Sequence, residues 1–437
     1  MQRLAIKINE DEWVLHGSGK AVGLQGCQRN PTQRLPTGAC LEKLDLILQG
    51  NPNRTRALII QLQSLIERLR LGQPAWLCLQ PDAEVAVYQS RLLAADFQWI
   101  TGSVQVQGIG IRLEMQREDF WQLPWQPLPL SNRYGTAVTD GIRIDNRADA
   151  NGQNWCSIAG EGLLGDLPAP VRVRILHDVD ANTILDQIFI GWGSTVTLPL
   201  PPVEGEMAES NLNYGGIIHA AYHGGGYGLV QWDTTAAIRL LSWVLPGAEF
   251  NGLGSRQLRP LVRLVNPPGL TADTWVWWKL FHGSLVYQSS PQLLSSERAL
   301  QALPLICLPA NPLSGEPWND LHLEIHAQNR TAGNHQLAVD AIFLFYTDGW
   351  RQFQTLENGK LEFGQTLIDT SDQVQPFVQL SHTHKNQRAY QAQGNGLWVL
   401  PGQNHLLQLL VDAGSEMPLD VSFHLKLEYQ PRRRMLP

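Results

Sequence analysis

Charge is scarce in this chain. Only 17% of its 437 residues are Asp, Glu, Lys or Arg, and the net charge is −7. So sparse and slightly acidic a surface argues against a nucleic-acid partner and against an anionic membrane. The single basic cluster, Arg432-Arg433-Arg434, falls near the end of the chain and reads as a solvated tail or a local contact. Cysteine is equally scarce. Cys27, Cys40, Cys78, Cys156 and Cys307 are odd in number, far apart and without a Cys-x-x-Cys pair, which removes zinc and thioredoxin-like readings. No run is long and apolar enough for a membrane span. The start, Met1-Gln2-Arg3-Leu4-Ala5-Ile6-Lys7-Ile8, alternates like a strand and lacks the apolar centre of a signal peptide, so synthesis and folding in the cytoplasm are expected. No internal repeat is visible.

What the chain does hold is 39 glycines and 27 prolines, whose punctuation cuts it into short runs, and 43% hydrophobic residues, enough for real cores. The length predicts two or three domains. The pattern is plainest from Gly165 to Ile175. A Gly-Asp turn leads into a proline pair that favours extended backbone. Val171, Val173 and Ile175 then alternate with Arg172 and Arg174, as in a half-buried strand. Nothing in the stretch is reactive.

Residues 1–128 read as an α+β unit. Leu44, Leu46 and Leu48 mark a strand. Asn51-Pro52-Asn53 turns the chain into a helix over Arg54–Leu71, where Leu58, Leu62, Leu65, Ile66 and Leu69 form one apolar stripe. Asn53 or Thr55 would cap its start and Gly72 its end. Strands follow at Ala75–Leu79, Val85–Tyr88, Arg91–Leu93 and Val104–Met115, the last changing phase at Gly108 as a bulge does. The proline-rich stretch Leu123–Leu130 predicts a stiff linker and a boundary. Residues 129–348 alternate as a β-sandwich, of jelly-roll or galectin-like kind, interrupted by a glycine-rich excursion from Tyr214 to Gly228. An excursion of that length suggests function or an assembly contact. Residues 349–437 read as a smaller C-terminal β segment.

Chemical motifs are few, and each has a plainer reading. His223-Gly224-Gly225-Gly226 looks like an esterase oxyanion loop, but no Gly-x-Ser-x-Gly elbow accompanies it. His219 and His223 stand four apart, yet glycines oppose the helix that would make them metal ligands. His322, Glu324 and His326 share a strand face, which a solvated face explains. His382 and His384, with Asp369 and Asp372 upstream, read likewise. Gly17-Ser18-Gly19-Lys20-Ala21 lacks a P-loop's first glycine and its Ser/Thr. No catalytic residue, metal or cofactor is therefore expected. Tryptophan is the abundant oddity, with fifteen residues. Trp275 and Trp277 share a face, and stacking on sugar rings competes with ordinary packing as their role.

The layout resembles tail-tip proteins of long-tailed bacteriophages, in particular the distal tail protein family. The resemblance rests on the helix over Arg54–Leu71, on Gly72-Gln73-Pro74-Ala75-Trp76-Leu77, and on Leu113–Trp121. It extends to the Gly165–Pro170 turn, Leu337–Leu344, Leu400–Leu407 and the ending Tyr429-Gln430-Pro431-Arg432. It implies a non-enzymatic structural protein of the virion tail. The N-terminal domain would form a ring, most often a hexamer, joining tail tube to tip. A β-sandwich would project outward toward tape-measure, hub or fibre proteins, or toward host-surface glycan. The middle domain is larger than that family's galectin-like one, which leaves another baseplate component open. On this reading Leu58, Leu62, Leu65 and Leu69 mark the oligomer-domain helix. The candidate glycan or protein contacts are Trp275, Trp277, Tyr214, Tyr222 and Tyr227. The alternatives are a carbohydrate-binding adhesin and, behind it, a glycan hydrolase with two converging carboxylates.

Overall fold

The structure, a computed structural model, describes residues 2–21, 24–49, 51–81, 86–100, 109–138, 140–147, 153–178, 185–194, 199–265, 270, 273–310, 318–346, 348–355, 361–371, 377–380, 386–387, 390–412 and 421–435. The protein is mainly β, with a single α-helix among the described residues. It divides into two compact units. The first comprises residues 1–126, 164–169 and 430–437, and the second residues 127–163 and 170–429.

The first unit is an antiparallel sheet with one helix. Its elements are β1 (Arg3–Ile8), β2 (Asp11–His16), β3 (Leu24–Arg29), β4 (Gln33–Arg34), β5 (Cys40–Leu48), α1 (Pro52–Arg70), β6 (Ala75–Gln80), β7 (Tyr88–Trp99), β8 (Ile109–Arg117) and β9 (Trp121–Gln122). The main strand order is β2-β1-β6-β7-β8-β5-β3. In β5 burial alternates with the pleat, and Leu44, Leu46 and Leu48 enter the core. The phase change expected at Gly108 lies outside the described residues.

Helix α1 starts earlier than the apolar stripe suggests. Asn51, rather than Asn53 or Thr55, is the N-cap, and its side chain accepts a hydrogen bond from the Arg54 N–H. Pro52 then occupies a first-turn position where the absent N–H costs nothing. At the other end the Gly72 N–H donates to the Leu69 carbonyl and the Gln73 N–H to that of Arg68, with Gly72 at φ +79°. That is a Schellman closure, which a left-handed glycine makes inexpensive.

The first unit is closed by the far end of the chain. The two-residue strand Arg432–Arg433 pairs with β9, and the Asp166 N–H donates to the Arg432 carbonyl. Gly165 sits at φ +107°, where a Cβ would lie 2.6 Å from the Arg432 carbonyl oxygen. The arginine cluster is thus a local contact. Arg432 lies over the Phe120 ring and Arg433 over that of Tyr88. The turn at Gly165 belongs to this unit, whereas the strand it leads into, Ala169–Leu176, runs on into the second.

The second unit holds four antiparallel sheets. In one, Ala169–Leu176 lies between Ser422–Tyr429 and Gln365–Thr370. In the next, His405–Asp412 lies between Trp155–Ile158 and Gln187–Ser194. The buried ion pair Arg351–Asp369, at 2.7 Å, ties these two sheets together. All eight residues of His405–Asp412 are buried, as expected of a strand covered on both faces. Residues 349–437 therefore supply strands to sheets shared with residues 130–194. The other two sheets, built around His335–Tyr346 and Leu321–Gln328, enclose a common core that includes Val230, Leu258, Ile342, Leu240, Trp278 and Leu323. This pair is a sandwich. The strand order does not establish a jelly-roll or galectin-like path.

Candidate functional site

The stripe on α1 faces inward. Leu58, Leu62 and Leu65 are buried in the first unit's own core, and Leu69 packs against it. Apolar surface left outside is carried elsewhere: Ile60 is 55% exposed, Trp99 53% and Ile109 42%. Trp99 pairs with the buried Ile111 across β7 and β8, and Ile109 lies two residues from it on the same face.

The glycine-rich excursion is a β-hairpin. Asn213–Ile218 pairs with Gly226–Trp232, which continues into the sheet of His335–Tyr346. The Tyr214 hydroxyl faces the Gly205 and Glu206 carbonyls at 3.1 and 3.0 Å. Tyr222 lies edge-on to Tyr227 at 5.2 Å and tilted against His219 at 5.0 Å. These three rings form a half-buried to exposed aromatic group at the hairpin tip.

Beneath the tip lies a charge cluster that single-sequence reasoning missed. The His223 Nδ1 meets Glu204 Oε1 at 2.6 Å, and its backbone N–H donates to Asp340 Oδ1 at 2.9 Å. Asp340 in turn pairs with Arg263 at 2.6 Å, both fully withdrawn from water. Gly224, at φ +63°, brings its backbone so close that a Cβ would lie 2.6 Å from Glu206 Oε1 and 2.8 Å from Glu204 Oε2. Burial raises the Glu206 carboxyl above its ordinary range, and the Glu204 charge adds to this. Burial alone would lower His223, but the Glu204 carboxylate and the Asp340 charge carry its pKa up. The cluster draws on residues 204, 206, 223, 263 and 340, so only the His and Glu types themselves were signals. The His223–Gly226 stretch that looks like an esterase loop is this hairpin tip, and Gly224 and Gly226 serve close backbone approach.

The tryptophan strand is Trp275–His282. Trp278 faces the core and donates from Nε1 to the Pro304 carbonyl at 2.7 Å. Trp277 points to the other face, as alternation requires, but is only 7% exposed and stacks on His326 at 5.7 Å. Trp275 is half-buried beneath Arg330. His326 Nε2 meets Glu324 Oε2 at 2.7 Å, Glu324 also accepts from Arg239, and His322 is exposed. Burial lowers the His326 pKa. Asp369 is bound to Arg351, while His382, His384 and Asp372 lie outside the described residues. Among the described residues no group of three His, Cys, Asp or Glu side chains converges as metal ligands would.

No family model matches the chain, and no curated protein does. Among solved structures it is similar to a chain of the phage P2 baseplate in its activated conformation with Ca, at 8% identity, with 100% of both chains covered and a TM-score of 0.29. It is also similar to a chain of infectious bursal disease virus, Gt strain, at 8% identity, with 84% and 86% coverage and a TM-score of 0.18. Both scores are too low for a common fold to follow.

Proposed function

We propose that the protein is a non-enzymatic structural component of a phage tail tip or baseplate, assembling as a ring through its first unit. Its partners would be its own copies and the tail tube, tape-measure, hub and fibre proteins. The observation that carries this reading is the chain path. A small sheet-and-helix module, closed by strand Arg432–Arg433, sends out and takes back a much larger all-β platform. The exposed Trp99 and Ile109 support it, since neighbouring large apolar side chains on one face call for cover. A closed ring requires such a patch to meet a different surface of the next copy. Mass photometry and negative-stain electron microscopy test the reading. Rings are expected for the wild type, and Trp99→Glu with Ile109→Glu should give monomers that keep the β circular-dichroism spectrum. A chain that stays monomeric at high concentration and is missing from purified tails would overturn it.

A second reading, an adhesin that binds surface glycan, is favoured by the aromatic group Tyr222, Tyr227 and His219 at the hairpin tip. Glycan binding lost in Tyr222→Ala, with the fold retained, would select it.

A further inference from the structure

The first unit contains an open cleft of about 490 Å³ lined by Arg29, Arg34, Arg117, Arg434, Asp119 and Trp121, with Thr32, Cys40 and Met435 completing the wall. Its arginines are unequally engaged. Arg29 and Arg117 are spent on the buried Glu42: Arg29 reaches both carboxylate oxygens at 2.9 and 3.0 Å, and Arg117 donates from Nε at 2.8 Å. Both guanidinium groups also lie over the Trp121 ring, at 5.6 and 4.3 Å. These contacts form a rigid floor.

The other two arginines are open. Arg34 reaches Asp119 through a single nitrogen at 2.9 Å, and its side chain remains 58% exposed. Arg434 is exposed, and its guanidinium makes no hydrogen bond or ion pair with any described residue. Its backbone is nonetheless fixed, because its N–H donates to Asp166 Oδ1 at 2.9 Å. Four guanidinium groups thus stand against three carboxylates, those of Glu42, Asp119 and Asp166, in a chain whose net charge is −7. A guanidinium offers a planar fork of donors that matches a carboxylate, and Arg434 and most of Arg34 have theirs unused. Beside them the exposed apolar side chain is Met435, with Trp121 and Cys40 buried behind it.

We infer that this cleft is a docking site for an acidic peptide segment of a neighbouring protein, with Arg34 and Arg434 clamping its carboxylates while the exposed Met435 receives an apolar side chain. Charge complementarity selects the sign of the occupant. The cleft's size and the exposed Met435 select a peptide over a bare inorganic anion. This site goes beyond the assembly reading and does not depend on a ring.

Isothermal titration calorimetry on the full chain tests it. The probes are an acetylated, amidated peptide of alternating glutamate and leucine, the same peptide with lysine for glutamate, and inorganic phosphate. Saturable binding of the glutamate peptide, weakened by added salt, is expected, with none for the lysine peptide. Arg34→Gln with Arg434→Gln should weaken it by about tenfold or more, as expected for two charge-assisted contacts. Both side chains are exposed, so an unchanged thermal midpoint confirms that the variant is folded. No binding by the wild type, equal binding by the variant, or phosphate binding that displaces the peptide at equal concentration would overturn the assignment.

Discussion

Glu42 in the first unit and Glu204 in the second each sit against a basic side chain, but they are treated differently. Both oxygens of Glu42 are used: Arg29, Arg117 and Thr32 all bond to it, and its side chain is wholly buried. Burial would raise its carboxyl, but the hydrogen bonds and charge of Arg29 and Arg117 hold it below the ordinary range. Glu204 has His223 on one oxygen, and its other oxygen, Glu206 Oε2 and His223 Nε2 are buried with no hydrogen-bond partner among the described residues. A saturated network fixes one geometry, whereas an unsaturated one leaves polar atoms whose burial costs free energy. The first cluster is therefore a clamp. The second is a place where the protonation state sets how firmly a hairpin tip is held.

The largest expected effect breaks the clamp. Glu42→Ala strands Arg117 in the interior and takes away the main partner of Arg29, and should cost the first unit about 3–5 kcal/mol. The check is thermal denaturation followed at two wavelengths, because the two units need not melt together. A loss well under 1 kcal/mol would show that water reaches the arginines and that the cluster is no clamp.

In the second unit His223→Gln should cost about 1.5–3 kcal/mol at mildly acidic pH, the range for a hydrogen bond to a charged partner. The sign of the pH dependence follows from the upward shift. A histidine whose folded pKa lies above 6.5 gives its full stabilisation below that value and loses it as pH rises through the folded pKa. Glu206, also raised, has the same sign at lower pH, and Asp340, which burial pushes up to about 7, has it in the same window as His223. The groups facing the imidazole are Glu204, Glu206, Asp340 and Arg263. The second transition should therefore fall as pH climbs from the mildly acid range to the alkaline side, and His223→Gln should flatten that slope. An equal slope in both proteins would mean that His223 does not govern it.

Gly224→Ala perturbs the same tip through the backbone. The residue sits at φ +63°, where a Cβ is strained, and the added atom would press on Glu204 and Glu206. Those carboxylates end flexible side chains and can retreat, so about 1–2 kcal/mol is expected rather than loss of the fold. Amide exchange at Tyr222–Tyr227 should quicken more than exchange elsewhere in the unit.

The same contrast explains what could be read from residue order. Helix α1 was legible because its cause is local: Leu58, Leu62 and Leu65 recur at helical spacing, and Gly72 supplies the terminating conformation. Only the cap was displaced, since Asn51 followed by Pro52 outcompetes Asn53. Strands such as Leu321–Gln328 were legible from alternation. His405–Asp412 was legible as a strand but not as the middle of a sheet, because a strand buried on both faces carries no alternation to reveal its neighbours. The pairing of Arg432–Arg433 with β9 joins segments more than 300 residues apart, and two-residue strands have no period at all. The cluster of Glu204, His223, Arg263 and Asp340 was illegible for the same reason. Its members arrive on four separate segments, and only tertiary packing brings them within 3 Å of one another.

The smallest effect sharpens the comparison from the exposed side. Arg70 and Glu67 on α1 form an ion pair at 2.7 Å, one turn apart, with both side chains 61% exposed. The distance is as short as those around Glu42, so a count by distance would value the two alike. Water and mobile ions screen the exposed pair, and both long side chains lose rotamer freedom in making it. Arg70→Gln should therefore cost about 0.2–0.5 kcal/mol, part of it from the cation's favourable place near the helix C-terminus. Raising the salt concentration should shrink that difference further, while leaving the Glu42→Ala loss nearly unchanged. If Arg70→Gln instead cost as much as His223→Gln, burial would not be what separates a clamp from a surface contact in this protein.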